Sequence, residues 1–219
     1  MKAPAAAPAF RRALAAWYRR HHRDLPWRRT RDPYSVLVSE LMLQQTQVSR
    51  VLGFYGRFLA EFPDLRTLAD ARPARVRRAW EGLGYYARAR NLHALSREVM
   101  VTHDGVMPNE PHVLRELPGV GAYTAGAVAS FAFQKRAALV DTNVARVLRR
   151  VFSPRAKPKR LWSIAESILP RSGRAAWTHN QAVMELGALV CVARTPKCGV
   201  CPVRGVCHSA PAFERPSAR

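Results

Sequence analysis

The sequence predicts an all-helical fold. Apolar residues recur at helical spacing along most of its 219 residues, no segment alternates convincingly as a strand, and Pro and Gly punctuate joins such as FPDL, HDGVMPNEP and PRSGR. With 48% hydrophobic residues the chain can bury a substantial core as one large domain or two small lobes. No apolar run reaches the roughly 18 residues of a membrane span, which excludes a membrane protein.

Charge narrows the partner. Thirty-six basic side chains face 15 acidic ones, a net +21 spread along the chain, and such a balance favours a polyanion. Nucleic acid is the first choice, because neutralising phosphates releases counterions. A merely solvated basic surface is the alternative.

The N-terminal stretch is Ala- and Arg-rich with no acid before Asp24, as transit peptides can be. Phe10, Leu14, Trp17 and Tyr18 instead recur at helical spacing with arginines between them, predicting an amphipathic helix docked on the body behind a loose tail of about eight residues. After the turn-forming RRTRDPY, residues 35–62 read as one long helical region. It is apolar on nearly all sides at first, and later carries a single stripe of Val48, Val51, Leu52, Tyr55, Phe58, Leu59 and Phe62. Further helices are predicted at LRTLADA, ARVRRAWEGL, YARARNLHALSREVMV, HVLREL, AYTAGAVASFAF, TNVARVLRRVF, KRLWSIAESILP and THNQAVMELGALVC.

All four cysteines fall near the end: Cys191, Cys198, Cys201 and Cys207, with six, two and five residues between successive members. Clustering in a short segment favours metal ligation over disulfides, since no secretory signal accompanies it. Structural zinc usually takes two close C-x(2–4)-C pairs, and only Cys198 and Cys201 make one. Four thiolates in uneven loops suit an iron–sulfur cluster, and the expected cofactor is 4Fe-4S. Lys197 and Arg204 lie in the loops between these ligands, where a rigid loop could present them to phosphate. A purely stapling role for the cluster is the alternative.

Two carboxylates stand out. Glu40 sits among Val36, Leu37, Val38, Leu41, Met42 and Leu43, where burial would raise its pKa and make it a general acid. A helix-entry or surface glutamate is the other reading. Asp141 precedes TNVARVLRR and reads as a helix N-cap, a position that also keeps a carboxylate ionised beside a sugar-like cation. Thr142 and Asn143 could orient it. Between the two acids, LPGVG at 117–121 sets glycines before a small-residue helix, an arrangement that lets backbone N–H groups approach an anion.

Together LPGVG, VDTNV and the cysteine spacing resemble the helix-hairpin-helix DNA glycosylases that carry a terminal iron–sulfur cluster. LPWRRTRDPY, SELMLQQTQV, EGLGYYARARNLH, LPGVGAYTAGA and NQAVMELGALVC resemble the catalytic region of MutY-type adenine DNA glycosylases. The family fold implies two helical lobes with DNA across their junction. A six-helix module with the hairpin would span residues 28–136, and residues 1–27 and 137–219 would form a discontinuous iron–sulfur domain.

The resemblance implies a monofunctional base-excision-repair enzyme that hydrolyses the N-glycosidic bond of adenine mispaired with 8-oxoguanine or guanine. Glu40 would protonate the base and Asp141 would stabilise the oxocarbenium-like sugar, with Tyr123 and Asn143 supporting the two acids. Tyr123 stands where endonuclease III relatives place a Schiff-base lysine, which implies no strong lyase activity. Gln45 and Tyr85 match residues that enter the base stack; Gly119, Val120 and Gly121 match the phosphate-binding hairpin; Trp27, Arg28 and Gln181 lie in motifs of the base pocket. The implied cofactor is a 4Fe-4S cluster on Cys191, Cys198, Cys201 and Cys207, and the implied partner is double-stranded DNA with a mispaired base. A monomer in the cytoplasm, associated with the nucleoid, is implied as well.

Such enzymes usually carry a C-terminal domain for 8-oxoguanine, and this sequence ends twelve residues after Cys207. Adenine excision is expected without that domain, while the preference for 8-oxoguanine over guanine stays open. LPWRRTRDPY also resembles thymine/uracil mismatch glycosylases, the alternative enzyme. A DNA-binding homologue without catalysis is the alternative from another class.

Overall fold

The computed structural model describes residues 3–210 and 212. These residues are helical, with no strand among them, as the periodicity predicts. They divide into two compact units: the residues up to Arg23 join those from Gln134 onward, and Asp24–Phe133 form the other.

In the Asp24–Phe133 unit a single 3-10 turn at Pro26–Arg28 leads into α2 (Pro33–Leu43), α3 (Val48–Glu61), α4 (Leu65–Asp70), α5 (Pro73–Ala79), α6 (Ala87–Thr102), α7 (Pro111–Leu114) and α8 (Ala122–Phe131). Helix α2 starts where Asp32 accepts a hydrogen bond from the Ser35 N–H and Pro33 supplies a preset φ. It is buried nearly all round and packs on α8, whose residues from Thr124 to Phe131 are likewise buried. Small side chains on α8 permit that close approach. Helix α3 buries only Val51, Tyr55 and Phe58, leaving Leu52 exposed. The core below it stacks Phe58 against Phe62 and Trp80 at 5.1 and 5.6 Å between centroids.

Residues 35–62 therefore form two helices, not one long helical region. The break falls at Gln44–Gln47, with Gln45 in the left-handed region at φ +55°, a conformation that ends α-helical hydrogen bonding. No Gly or Pro marks the break in the sequence.

The other unit holds α1 (Ala7–His21), α9 (Thr142–Phe152), α10 (Pro158–Ile168) and α11 (Gly173–Leu189), followed by 3-10 turns at Cys198–Val200 and Arg204–Val206. Phe10, Leu14 and Tyr18 of α1 are buried, and α1 packs on α10 and α11. The expected eight-residue tail is shorter, since α1 already begins at Ala7, which is fully buried, and Pro8 suits its first turn. Met1 and Lys2 lie outside the described residues. Helix α11 starts inside PRSGR, where Ser172 accepts from the Ala175 N–H. Gly173 is required there, because a Cβ would lie 1.5 Å from the Gln134 carbonyl oxygen. No helix of the described residues is long and apolar enough to cross a membrane.

Candidate catalytic and cluster sites

Glu40 lies in the last turn of α2 and is 4% exposed. A buried carboxyl needs hydrogen-bond partners, and Tyr123, in the first turn of α8, donates its hydroxyl to Oε2 at 2.8 Å. The packing of α2 on α8 thus sets the pair. The same first turn follows the hairpin: Gly119 adopts φ +76°, Val120 N–H donates to the Leu117 carbonyl at 3.1 Å, and Gly121 caps α8 without a side chain. Gly119 cannot carry a Cβ, which would come within 2.6 Å of the Asn91 Cβ on α6. The hairpin rests on α6 by that contact, and the open helix start behind it aims N–H groups outward.

Gln45 and Tyr85 are exposed and both hold positive φ, +55° and +47°. Tyr85 is a 59%-exposed aromatic, and the loops that carry both residues are fastened by Arg88. Trp27 is buried edge-on against Tyr55 at 5.4 Å, and Arg28 follows it half-buried.

In the other unit Asp141 caps α9. Its Oδ1 accepts from the Val144 N–H at 2.6 Å and its Oδ2 from the Asn143 side-chain amide at 3.2 Å. Burial pushes its carboxyl up, opposed by the Val144 and Asn143 hydrogen bonds and the nearby Arg146 charge. Thr142 is exposed and makes no part of this network. Asn143 is fixed from behind, where Arg146 donates to its Oδ1 at 2.7 Å and to the Gly187 carbonyl at 2.7 Å. Gly187 has to be glycine, since a Cβ would sit 2.8 Å from that of Asn143. Gln181 is buried on α11.

Sequence reasoning missed Arg88, Arg146 and Gly187. Arg88 and Arg146 were two arginines among many. Gly187 did leave a signal, a glycine inside ELGALVC, where helix propensity alone disfavours it.

The four cysteines line one cavity with Arg150, Lys197 and Arg204. Among the described residues no three side chains close on a single ion; the thiols ring a shared space instead. Burial, with smaller contributions from Cys191, Cys207 and Cys198, pushes the Cys201 thiol up to about 11. Such a set of crowded thiols fits a positively charged iron core that takes them as thiolates. Arg150 Nη1 approaches Cys191 Sγ at 3.4 Å, and Cys207 Sγ lies 3.4 Å from the Arg150 carbonyl. Lys197 and Arg204 are exposed.

Comparison with known proteins bears on both sites. Residues 38–171 match the family described as HhH-GPD superfamily base excision DNA repair protein, and residues 191–207 match the iron-sulfur binding domain of endonuclease III. The human protein named adenine DNA glycosylase is 44% identical over 216 residues, 92% of this chain and 39% of the relative. One of that name from Mycobacterium tuberculosis (strain CDC 1551 / Oshkosh) is 45% identical over 196 residues, 87% of this chain and 64% of the relative. The chain thus spans less than two thirds of these relatives. Among solved structures, a thermostable thymine-DNA glycosylase superposes with a TM-score of 0.88 at 31% identity, covering 94% of this chain and 97% of that one. A non-covalent endonuclease III–DNA complex gives 0.80 at 24% identity, covering 94% and 95%, a likeness of fold. The cofactor of the cysteine segment is a 4Fe-4S cluster.

Proposed function

Because this chain belongs to the HhH-GPD superfamily of base excision DNA repair proteins, we propose that it is a monofunctional glycosylase hydrolysing the N-glycosidic bond of adenine mispaired with 8-oxoguanine or guanine in double-stranded DNA. The observation that carries the reading is the identity with relatives named adenine DNA glycosylase across nine tenths of the chain. Glu40 donates a proton to the adenine ring as the bond to the sugar breaks, while Tyr123 holds the carboxyl in place. Asp141 stabilises the positive charge that develops on the sugar, and Asn143 orients it. Water adds to the sugar and releases its proton, leaving an abasic site.

Tyr123 offers no amine, so no covalent imine with the abasic sugar forms there. Gln45 and Tyr85 enter the stack vacated by the flipped adenine. The hairpin amides of Gly119, Val120 and Gly121 hold phosphate without reading sequence, and Trp27, Arg28 and Gln181 contribute to the base pocket. When bound, the 4Fe-4S cluster supplies covalent cross-linking of the C-terminal loops, with Cys191, Cys198, Cys201 and Cys207 as its ligands. The enzyme acts as a monomer on nucleoid DNA.

Likeness to the thymine-DNA glycosylase along nearly its whole length favours a second reading, excision of thymine or uracil opposite guanine. Duplexes carrying A opposite 8-oxoguanine, A opposite G, T opposite G and U opposite G, developed with alkali to reveal abasic sites, decide between them. Adenine release is expected. Release of thymine or uracil alone would overturn the adenine assignment, and no release from any duplex would favour a binding module.

A further inference from the structure

Arg88, in the first turn of α6, is a buried guanidinium with 7% exposure, and its hydrogen bonds run to two separate loops. The two N–H groups of Nη1 are shared among the carbonyls of Leu41, Met42 and Gln44 at 3.0, 2.8 and 2.5 Å and Thr46 Oγ1 at 3.1 Å. Nη2 donates to the carbonyls of Leu83 and Gly84 at 3.3 and 3.0 Å, and Nε reaches the Tyr85 carbonyl at 3.4 Å. The guanidinium also lies 5.3 Å from the centre of the Tyr85 ring, within cation–π range.

Each contact has a chemical reason. The last carbonyls of α2 have no partner within the helix, and its C-terminus carries the negative end of the dipole. A cation placed there satisfies Leu41 and Met42 and also collects Gln44 beyond the helix end. Two backbones with positive φ at non-glycine residues cost energy and persist only where neighbours hold them. Gln45 and Tyr85 are the positive-φ residues of the two loops that Arg88 binds. Three residues further along the same helix, Asn91 backs Gly119 of the hairpin.

We propose that Arg88 is the positioning residue for opening the base stack: one guanidinium sets Gln45 and Tyr85 at a fixed separation, so that both enter the duplex together. It touches no reacting atom. The inference rests on the glycosylase reading above and adds to it the part that links the two stack-entering loops. Lysine would keep the charge, but a single ammonium cannot span both loops as a planar fork does.

The test uses the full chain with its cluster, on a duplex holding A opposite 8-oxoguanine with 2-aminopurine beside the target as a fluorescent reporter of unstacking. Arg88→Lys is expected to keep the visible iron–sulfur absorbance and to lower the single-turnover excision rate by about 100-fold, the scale of a misplacement near 1 Å. It should also abolish the rise in 2-aminopurine fluorescence. Combined with Gln45→Ala it should cost little more than either change alone, because the two act as one unit. A role confined to stability would leave the fluorescence rise of the folded fraction intact and make the two effects multiply, and that result overturns the proposal.

Thr46→Val removes one acceptor of Arg88, together with the hydroxyl's own bond to the Gln44 carbonyl, without baring a buried charge, so it carries the same cycle should Arg88→Lys not fold. Less-than-multiplicative coupling of Thr46→Val with Gln45→Ala supports the proposal, and multiplicative effects overturn it. Wild-type protein that excises normally beside an unimpaired Arg88→Lys sinks this inference alone. Wild-type protein that releases no base from any duplex sinks the glycosylase reading and, with it, this inference.

Discussion

Tyr123 donates its hydroxyl to the buried carboxyl of Glu40 at 2.8 Å, joining the helix behind the glycine hairpin to the last turn of α2. The element that would hold a DNA phosphate is therefore also the element that orients the proposed acid. On the proposed reading, positioning the acid and gripping the DNA backbone would be one rigid act.

Removing that hydroxyl separates the two tasks. Tyr123→Phe leaves the hairpin backbone unchanged but takes one donor from a buried carboxyl, and single-turnover excision should fall by roughly tenfold. Glu40→Gln removes the transferable proton and should cost roughly 100-fold or more. Affinity for the duplex, measured by fluorescence anisotropy, should be unchanged in both. A loss of affinity matching the loss of rate would mean that the pair is a structural strut of the hairpin.

Burial sets the pH dependence expected of Asp141. Its folded pKa is raised, chiefly by burial, so the unfolded chain ionises it more readily than the folded one does. The stabilisation of the protonated form is present below the ordinary value of 3.8 and is lost as pH rises through the folded pKa. At neutral pH the buried charge is a cost. Asp141→Asn can still accept from the Val144 N–H but gives up the bond from the Asn143 amide, so it should melt close to wild type at pH 7, where the buried charge is relieved, and should fall behind wild type in strong acid. Excision should be abolished while DNA binding persists. A marked drop in melting temperature at pH 7 would make Asp141 a helix cap before anything else.

How much of this was legible in the sequence depends on where the forces originate. The stripe Phe10, Leu14 and Tyr18 and the cap Asp141 report local rules, helical spacing and a carboxylate ahead of an apolar run, and the helices α1 and α9 follow from them. The break at Gln45 does not. Residues 43–51 contain no Gly or Pro, and what holds the kink is a guanidinium 43 positions away in the chain. Gly187 lay between: its mid-helix position hinted at a close approach, but only the fold shows that the approaching residue is Asn143. Glu40 and Asp141 could be singled out from their sequence surroundings, whereas Arg88, which holds the loops of Gln45 and Tyr85, and Arg146, which holds Asn143, could not.

His179 should make the cluster-bearing unit sensitive to mild acid. It is buried on α11, edge-on to Phe10 at 6.0 Å, and burial, helped by the Arg11 charge, lowers its pKa to about 4 from 6.5. The unfolded chain takes up this proton first. Stability is therefore intact above 6.5 and declines as pH falls toward 4, by an amount on the order of 3 kcal/mol. Thermal melts across that range should show the decline, and His179→Leu should flatten it. An unchanged slope in the variant would assign the acid sensitivity to other groups.

The ion pair of Arg23 with Glu185 offers a sharper test of what the chain crossing at residue 23 contributes. Glu185 is fully buried, and the Arg23 backbone N–H, Nε and Nη2 donate to it at 2.8, 2.9 and 2.8 Å. Truncating Arg23 keeps the backbone bond but strands a charge without its fork, and such losses run to about 3–5 kcal/mol. Arg23 is one-third exposed, so water re-entry should hold Arg23→Ala near the low end of that range. Replacing both partners, Arg23→Met with Glu185→Leu, removes the charge altogether and should recover most of the loss. Denaturant midpoints of the two variants decide the matter. If the double variant is as unstable as the single one, the pair's specific geometry is what stabilises the unit, whereas recovery means that the fold tolerates the pair and is harmed only by leaving half of it behind.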